Sequence, residues 1–243
     1  MKTLVIIPSR LSATRLPGKP LLKINGLSII SHVFNKAVEA NIGDVYVAAE
    51  DQEIINDVKK NGGQGILTGN NHKTGTDRIY EAFKKLGRPD VDLVMNLQGD
   101  EPLMNVKDII NLHNQMIKTK SELGTLASII EDKKFYEKKS IVKVITKENF
   151  DNSEFPEAID FKKYIINENK NAYHHLGIYC YQLETLKNFV LLDQSENELE
   201  NKLEQLRALD NKIKINVALA ESSPIGVDTE EDFVAIKKIM EYK

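Results

Sequence analysis

Thr3-Leu4-Val5-Ile6-Ile7-Pro8 runs directly into Ser9-Arg10-Leu11-Ser12-Ala13-Thr14-Arg15-Leu16-Pro17-Gly18-Lys19-Pro20. The first six residues form a short apolar run with polar flanks, the pattern of a strand covered on both faces of a parallel sheet. Asp44–Ala49 and Asp92–Leu97 repeat that pattern. Between these runs, Ile29, Ile30, Val33, Phe34, Ala37 and Val38 recur at helical spacing. So do Ile54, Ile55 and Val58, stopped by Asn61-Gly62-Gly63, and Ile79, Ala82, Phe83 and Leu86, closed by Gly87. The βαβα order predicts an α/β fold with a mainly parallel, twisted sheet and helices on both faces.

Beyond residue 122 the pattern is mixed. Strands are expected at 123–130, 141–146, 177–182 and 213–219, and helices at 183–192, 198–209 and 230–241. The polar stretch 147–172 takes no assignment. We expect one domain over 1–243, with a small inserted lobe at roughly 125–180.

Bulk properties exclude several classes. A net charge of −3 opposes a general nucleic-acid binder, which carries a basic excess. No apolar run approaches the ~18 residues of a membrane helix, and Leu4–Pro8 is too short for a signal-peptide core. The single cysteine, Cys180, rules out an intrachain disulfide and fits a reducing cytoplasm. The expectation is an unprocessed, soluble cytoplasmic protein.

Three segments carry candidate chemistry. Arg10, Arg15 and Lys19 follow the first strand, at the sheet edge where open parallel sheets bind ligands. They can supply charge-assisted donors to a polyphosphate, and Gly18 permits close backbone approach. The segment is neither G-x-x-x-x-G-K-[ST] nor G-x-G-x-x-G, and it also fits a solvated basic loop. Gln98-Gly99-Asp100-Glu101-Pro102 ends the third strand at the same edge. Asp100 suits Mg²⁺, which takes one or two carboxylates plus phosphate oxygens, while Glu101 points away if the backbone stays extended. Thr229 and Asp232 fit a capping box, and Asp228 just outside it is a candidate second ligand.

His174 and His175 are adjacent in a strand and face opposite sides, which opposes a metal pair. In 199–207, Leu199, Leu203 and Leu206 share one helical face; Glu200, Glu204 and Arg207 share another, read as a solvated ion-pair face.

Taken together these segments resemble the 3-deoxy-manno-octulosonate (Kdo) cytidylyltransferases. The resemblance rests on Ile6–Arg10, Arg15–Leu21, Gly75-Thr76-Asp77-Arg78, Asn96–Pro102, His175–Tyr179, Leu203–Leu209 and Val227–Asp232, in order along nearly the whole chain. It implies a nucleotide-diphospho-sugar transferase fold, a homodimer, and CTP and a 3-deoxy sugar acid as substrates. By this likeness Arg10, Arg15 and Lys19 grip the triphosphate, with Pro8, Ser9, Thr74, Gly75 and Gln98 around the nucleotide. Asp100 and Asp228 would be the Mg²⁺ ligands, and Arg10, Lys19, Asp100 and Asp228 the catalytic set. Arg78, Gln98, His175, Tyr179, Glu204 and Gln205 would contact the sugar acid.

One stretch departs from the family. Where the family has Tyr-Phe-Ser-Arg followed by Ile-Pro, this chain has Ile159-Asp160-Phe161-Lys162-Lys163-Tyr164. Lys163 can offer a carboxylate a point charge but no bidentate fork. That keeps an 8-amino analogue or a sialic-acid-like sugar open as substrate. A metal-dependent glycosyltransferase would favour Asp-x-Asp where this chain has Asp100-Glu101, and a nucleotide-binding module would bind without turnover.

Overall fold

The computed structural model describes residues 1–12, 15–166 and 169–242; Ala13 and Thr14 of the basic loop lie outside the described residues. Two compact units emerge, one made of Met1–Val106 with Pro224–Lys243, the other of Lys107–Ser223. The stretch expected as a lobe, 125–180, falls within the second.

The first unit contains β1 (Thr3–Ser9), β2 (Lys23–Ile24), β3 (Leu27–Ser28), α1 (Ile29–Glu39), β4 (Asp44–Ala49), α2 (Gln52–Lys60), β5 (Gly65–Leu67), α3 (Gly75–Leu86) and β6 (Leu93–Asn96). Its main sheet runs β6-β1-β4-β5, every pair parallel. Leu4 to Ile7 are wholly buried, as a strand covered on both faces must be. The helical spacing in α1 buries Ile29, Ile30, Val33, Phe34 and Ala37 but leaves Val38 exposed. Ser28 caps α1 by accepting from the Ser31 amide. β1 and β6 pair through Ile6 and Asn96, so the segments that follow them leave the sheet side by side. Gly99 is required there, since a Cβ would stand 2.9 Å from the Pro8 carbonyl oxygen.

The second unit holds α4 (Val106–Thr119), β7 (Leu123–Ser128), α5 (Lys134–Glu137), β8 (Lys143–Thr146), β9 (Ala158–Lys162), β10 (Ala172–Gln182), α6 (Leu183–Phe189), α7 (Glu196–Asn201), α8 (Leu206–Asp210) and β11 (Ile215–Leu219). β11 pairs parallel with β7; β7–β10, β10–β8 and β8–β9 are antiparallel. The chain then returns to the first unit as α9 (Glu230–Glu241). Thr229 and Asp232 form the capping box expected of them. Ile236 of α9 packs with Ile24, Ile29 and Val227.

The single helix expected over 198–209 is two short ones, separated by Lys202 in the left-handed region at φ 52°. The cause is an ion pair. Arg207 Nε and NH2 donate to Glu198 Oε2 and Oε1 at 2.7 and 2.6 Å, with both side chains buried. Nine residues apart on one continuous helix, these side chains would lie about 180° apart in azimuth and ~13 Å apart along the axis, too far to meet. The break brings them together. Arg207 is therefore buried, not part of a solvated face, and Leu199 is exposed.

Candidate active site

β1 ends at Ser9 and the basic loop follows. Gly18, at φ +70°, caps the 3-10 turn Lys19–Leu21 and sets Lys19 at its first position. Lys19 Nζ lies 2.6 Å from Asp100 Oδ2 and 3.4 Å from Asp228 Oδ1. Arg15 NH2 lies 3.0 Å from Asp228 Oδ2. The Val227 amide donates to the Asp100 carbonyl at 2.9 Å, tying the returning segment to the β6 end. Carboxylates 81 and 209 positions beyond Lys19 in the chain thereby enclose one cation.

A cavity of about 380 Å³ opens over this cluster. Pro8, Ser9, Arg10, Arg15 and Lys19 line it, as do Thr74, Gly75 and Arg78 from the start of α3, and Gln98, Asp100 and Asp228. Thr74 doubles as the α3 cap, its hydroxyl accepting from the Asp77 amide. Arg78 is buried, donating to Thr68 Oγ1 at 2.6 Å and Gly69 O at 3.1 Å and pairing with Glu50. Its guanidinium is thus largely occupied by the protein.

Several wall residues escaped the sequence reading. His72 and Lys73 line the same cavity. His72 Nε2 bonds Glu81, which also accepts from the Gly69 amide and Lys85. Burial alone would raise the Glu81 pKa, but these hydrogen bonds, Lys85 foremost, hold it at about 2. Glu101 is not among the cavity-lining residues, and the backbone turns just before it, at Gly99-Asp100. Its carboxyl tip is buried, and burial together with the charges of Asp100 and Asp228 raises its pKa to about 8 against the pull of Lys19. Ser9 Oγ, Asn96 Oδ1 and Glu101 Oε2 are buried with no hydrogen-bond partner among the described residues.

His175, Tyr179, Glu204 and Gln205 belong to the second unit. Burial keeps His175 neutral, with a pKa of about 3. Its ring meets Phe161 edge-on at 5.0 Å and lies 5.5 Å from the Tyr179 ring. Burial likewise raises the Tyr179 hydroxyl well above its usual value. Glu204 and Gln205 occupy the turn between α7 and α8, where Arg207 and Ala208 donate to their carbonyls.

The cytidylyltransferase family profile matches residues 4–215. The 3-deoxy-manno-octulosonate cytidylyltransferase of Thermodesulfovibrio yellowstonii is 41% identical, covering 99% of this chain and 98% of the relative. That of Afipia carboxidovorans is 38% identical over 98% and 96%. The chain belongs to the cytidylyltransferase family.

A solved CMP:2-keto-3-deoxy-manno-octonic acid synthetase complexed with CTP superposes on this cytidylyltransferase with a TM-score of 0.88. It is 32% identical and covers 100% of this chain and 99% of its own. A 4-diphosphocytidyl-2C-methyl-D-erythritol synthase from Anaerococcus prevotii, 13% identical with a TM-score of 0.62, shares the fold. No helix among the described residues is long and apolar enough to cross a membrane. The donor set of the cytidylyltransferase cavity is compatible with Mg²⁺. Asp100 and Asp228 already share one cation, the Lys19 ammonium, and two carboxylates completed by phosphate oxygens are a usual Mg²⁺ arrangement.

Proposed function

We propose that this cytidylyltransferase transfers CMP from CTP to the anomeric hydroxyl of 3-deoxy-D-manno-octulosonate, releasing pyrophosphate, in the cytoplasm, as a homodimer, and on the route to lipopolysaccharide. The observation that carries this reading is the cavity in which Lys19, Arg10 and Arg15 face Asp100 and Asp228. An anionic triphosphate and a hydroxyl nucleophile need that mixture of charges. Family membership and the names borne by full-length relatives support the choice of substrates.

The anomeric oxygen attacks the α-phosphorus in line. Its bond to phosphorus forms as the bond to the pyrophosphate oxygen breaks, and the hydroxyl proton passes to water. Arg10, Arg15 and Lys19 hold the phosphate oxygens and neutralise charge that develops on the leaving group. On CTP binding, Lys19 and Arg15 exchange carboxylate partners for phosphate; Asp100 and Asp228 are the residues that would hold Mg²⁺. When bound, the cation would neutralise phosphate charge and lower the pKa of the attacking hydroxyl. Pro8, Ser9, Thr74, Gly75 and Gln98 surround the nucleotide. Arg78, Gln98, His175, Tyr179, Glu204 and Gln205 serve the sugar acid, with Arg78 acting through the wall it braces.

The test is pyrophosphate release by purified protein with Mg²⁺, each of the four nucleoside triphosphates, and Kdo, 8-amino-Kdo or sialic acid. Release with CTP and Kdo alone supports the reading. Release with CTP and another sugar acid moves the specificity to that acid, and no release with any pair overturns cytidylyl transfer to these acceptors.

A further inference from the structure

Within the second unit, β10 does not run evenly against β7. Leu126 pairs with Leu176 but Thr125 pairs with Tyr179, so Gly177 and Ile178 are extra residues in a bulge. In an even strand, residues four apart are separated by about 13 Å, whereas the His175 and Tyr179 rings lie 5.5 Å apart. The bulge folds the strand and gathers the two rings, and bulges of this kind re-aim side chains beside active sites.

The pin of the bulge is Thr125, which is wholly buried. Its hydroxyl lies 2.7 Å from the Ile178 carbonyl, 3.3 Å from the Leu176 carbonyl and 2.9 Å from His175 Nε2. A hydroxyl has one proton, and carbonyl oxygens only accept. The Thr125 proton therefore goes to Ile178, and the Thr125 oxygen must accept from His175, which places a hydrogen on Nε2. Burial keeps the ring uncharged, so Nδ1 carries a lone pair.

We infer that Thr125 is a positioning residue: through the bulge it holds His175 as the Nε2–H tautomer, presenting Nδ1 to the sugar acid as a hydrogen-bond acceptor. This deepens the proposed function and rests on it for the identity of the ligand. His175 then takes a donor, a sugar hydroxyl or an amino group in its place, and cannot serve the sugar's carboxylate. It is therefore a group that reads hydroxyl placement, leaving the carboxylate to cationic or amide donors elsewhere.

The tautomer is read directly from long-range ¹⁵N–¹H correlation spectra of ¹⁵N-histidine-labelled protein, with His175→Gln assigning the signal. A protonated Nε2 and an unprotonated Nδ1 are expected; a protonated Nδ1 overturns the inference whatever the enzyme's activity. Thr125→Val keeps the branched shape and removes the hydroxyl. It should raise KM for the sugar acid about tenfold, the scale of one lost neutral hydrogen bond, with KM for CTP unchanged. Thr125→Ser should restore both KM and the spectrum. Should Thr125→Val fail to fold, the wild-type spectrum still decides the tautomer. An unchanged KM and spectrum in folded Thr125→Val would remove Thr125 from the role. Loss of the proposed function would appear separately, as absence of pyrophosphate release by wild-type protein whose spectrum still shows Nε2–H.

Discussion

Two ion networks, one in each unit, use the same chemistry to opposite ends. Glu198 and Arg207 meet in a bidentate pair whose side chains are 4% and 3% exposed. Lys19, Asp100, Asp228 and Arg15 meet at the cavity with exposures rising from 13% to 63%. The sealed pair is closed off from solvent and held further by Gln194 on Glu198 and Phe189 under Arg207, so it is architecture: it fixes the break between α7 and α8. The open cluster can trade its partners for phosphate and metal at low cost, because water already screens it. Access of solvent, not the residue types, separates a structural ion pair from a reactive one.

That contrast can be broken by substitution. Asp100→Asn should lower kcat about 10³-fold or more, several kcal/mol of lost charge stabilisation, while the melting temperature stays within about 2 °C because only a partly exposed pair is disturbed. Steady-state rates and calorimetry on one preparation check both halves. Arg207→Ala should do the reverse to stability, costing about 3–5 kcal/mol in denaturant unfolding because it strands Glu198 in the interior. Replacing Glu198 and Arg207 together by methionine should recover most of that loss. Recovery by the double replacement shows that the pair sets geometry without adding net stability. Lys19→Ala should cost ~1.5–3 kcal/mol in kcat/KM for CTP, the range of a charge-assisted hydrogen bond.

The smallest effect concerns acid. Burial lowers the pKa of His174 to about 4 and of His175 to about 3, so both are neutral in the fold and titrate near 6.5 when unfolded. A depressed pKa gives stability that is present above pH 6.5 and is lost as pH falls from there toward the folded values. At pH 5.5 each should account for about 1.4 kcal/mol of lost stability. His175→Gln should make the decline of melting temperature between pH 7 and 5 shallower, and an unchanged slope would deny that burial.

Most of the parallel half was legible because β1, β4 and β6 are short apolar runs and α2 and α3 have their own stop signals. Thr229 with Asp232 gave α9 its start, and the basic loop after the first strand with Gln98–Pro102 after the third marked the sheet edge. α4 was missed although Ile109, Leu112 and Met116 show its spacing. β5 is only three residues long and half-exposed, and β9 sits in a polar stretch with an exposed Ile159; neither offers a period to count. At the site, Pro8, Ser9, Arg10, Arg15, Lys19, Thr74, Gly75, Arg78, Gln98, Asp100 and Asp228 do share one cavity. His72 escaped because nothing local distinguishes a wall histidine from a loop histidine.

By itself the sequence determined the alternation of strands and helices, the caps, and the family, since these depend on neighbours within a turn or on motifs kept in order. Only the tertiary structure decided that Asp228 meets Lys19 across 209 positions, that Arg207 is buried on Glu198, and that Thr125 sets the hydrogen on His175. Those outcomes depend on which side chains come to share a small volume. Chain-distant groups reach such a volume only when the sheet register and the bulge have been set.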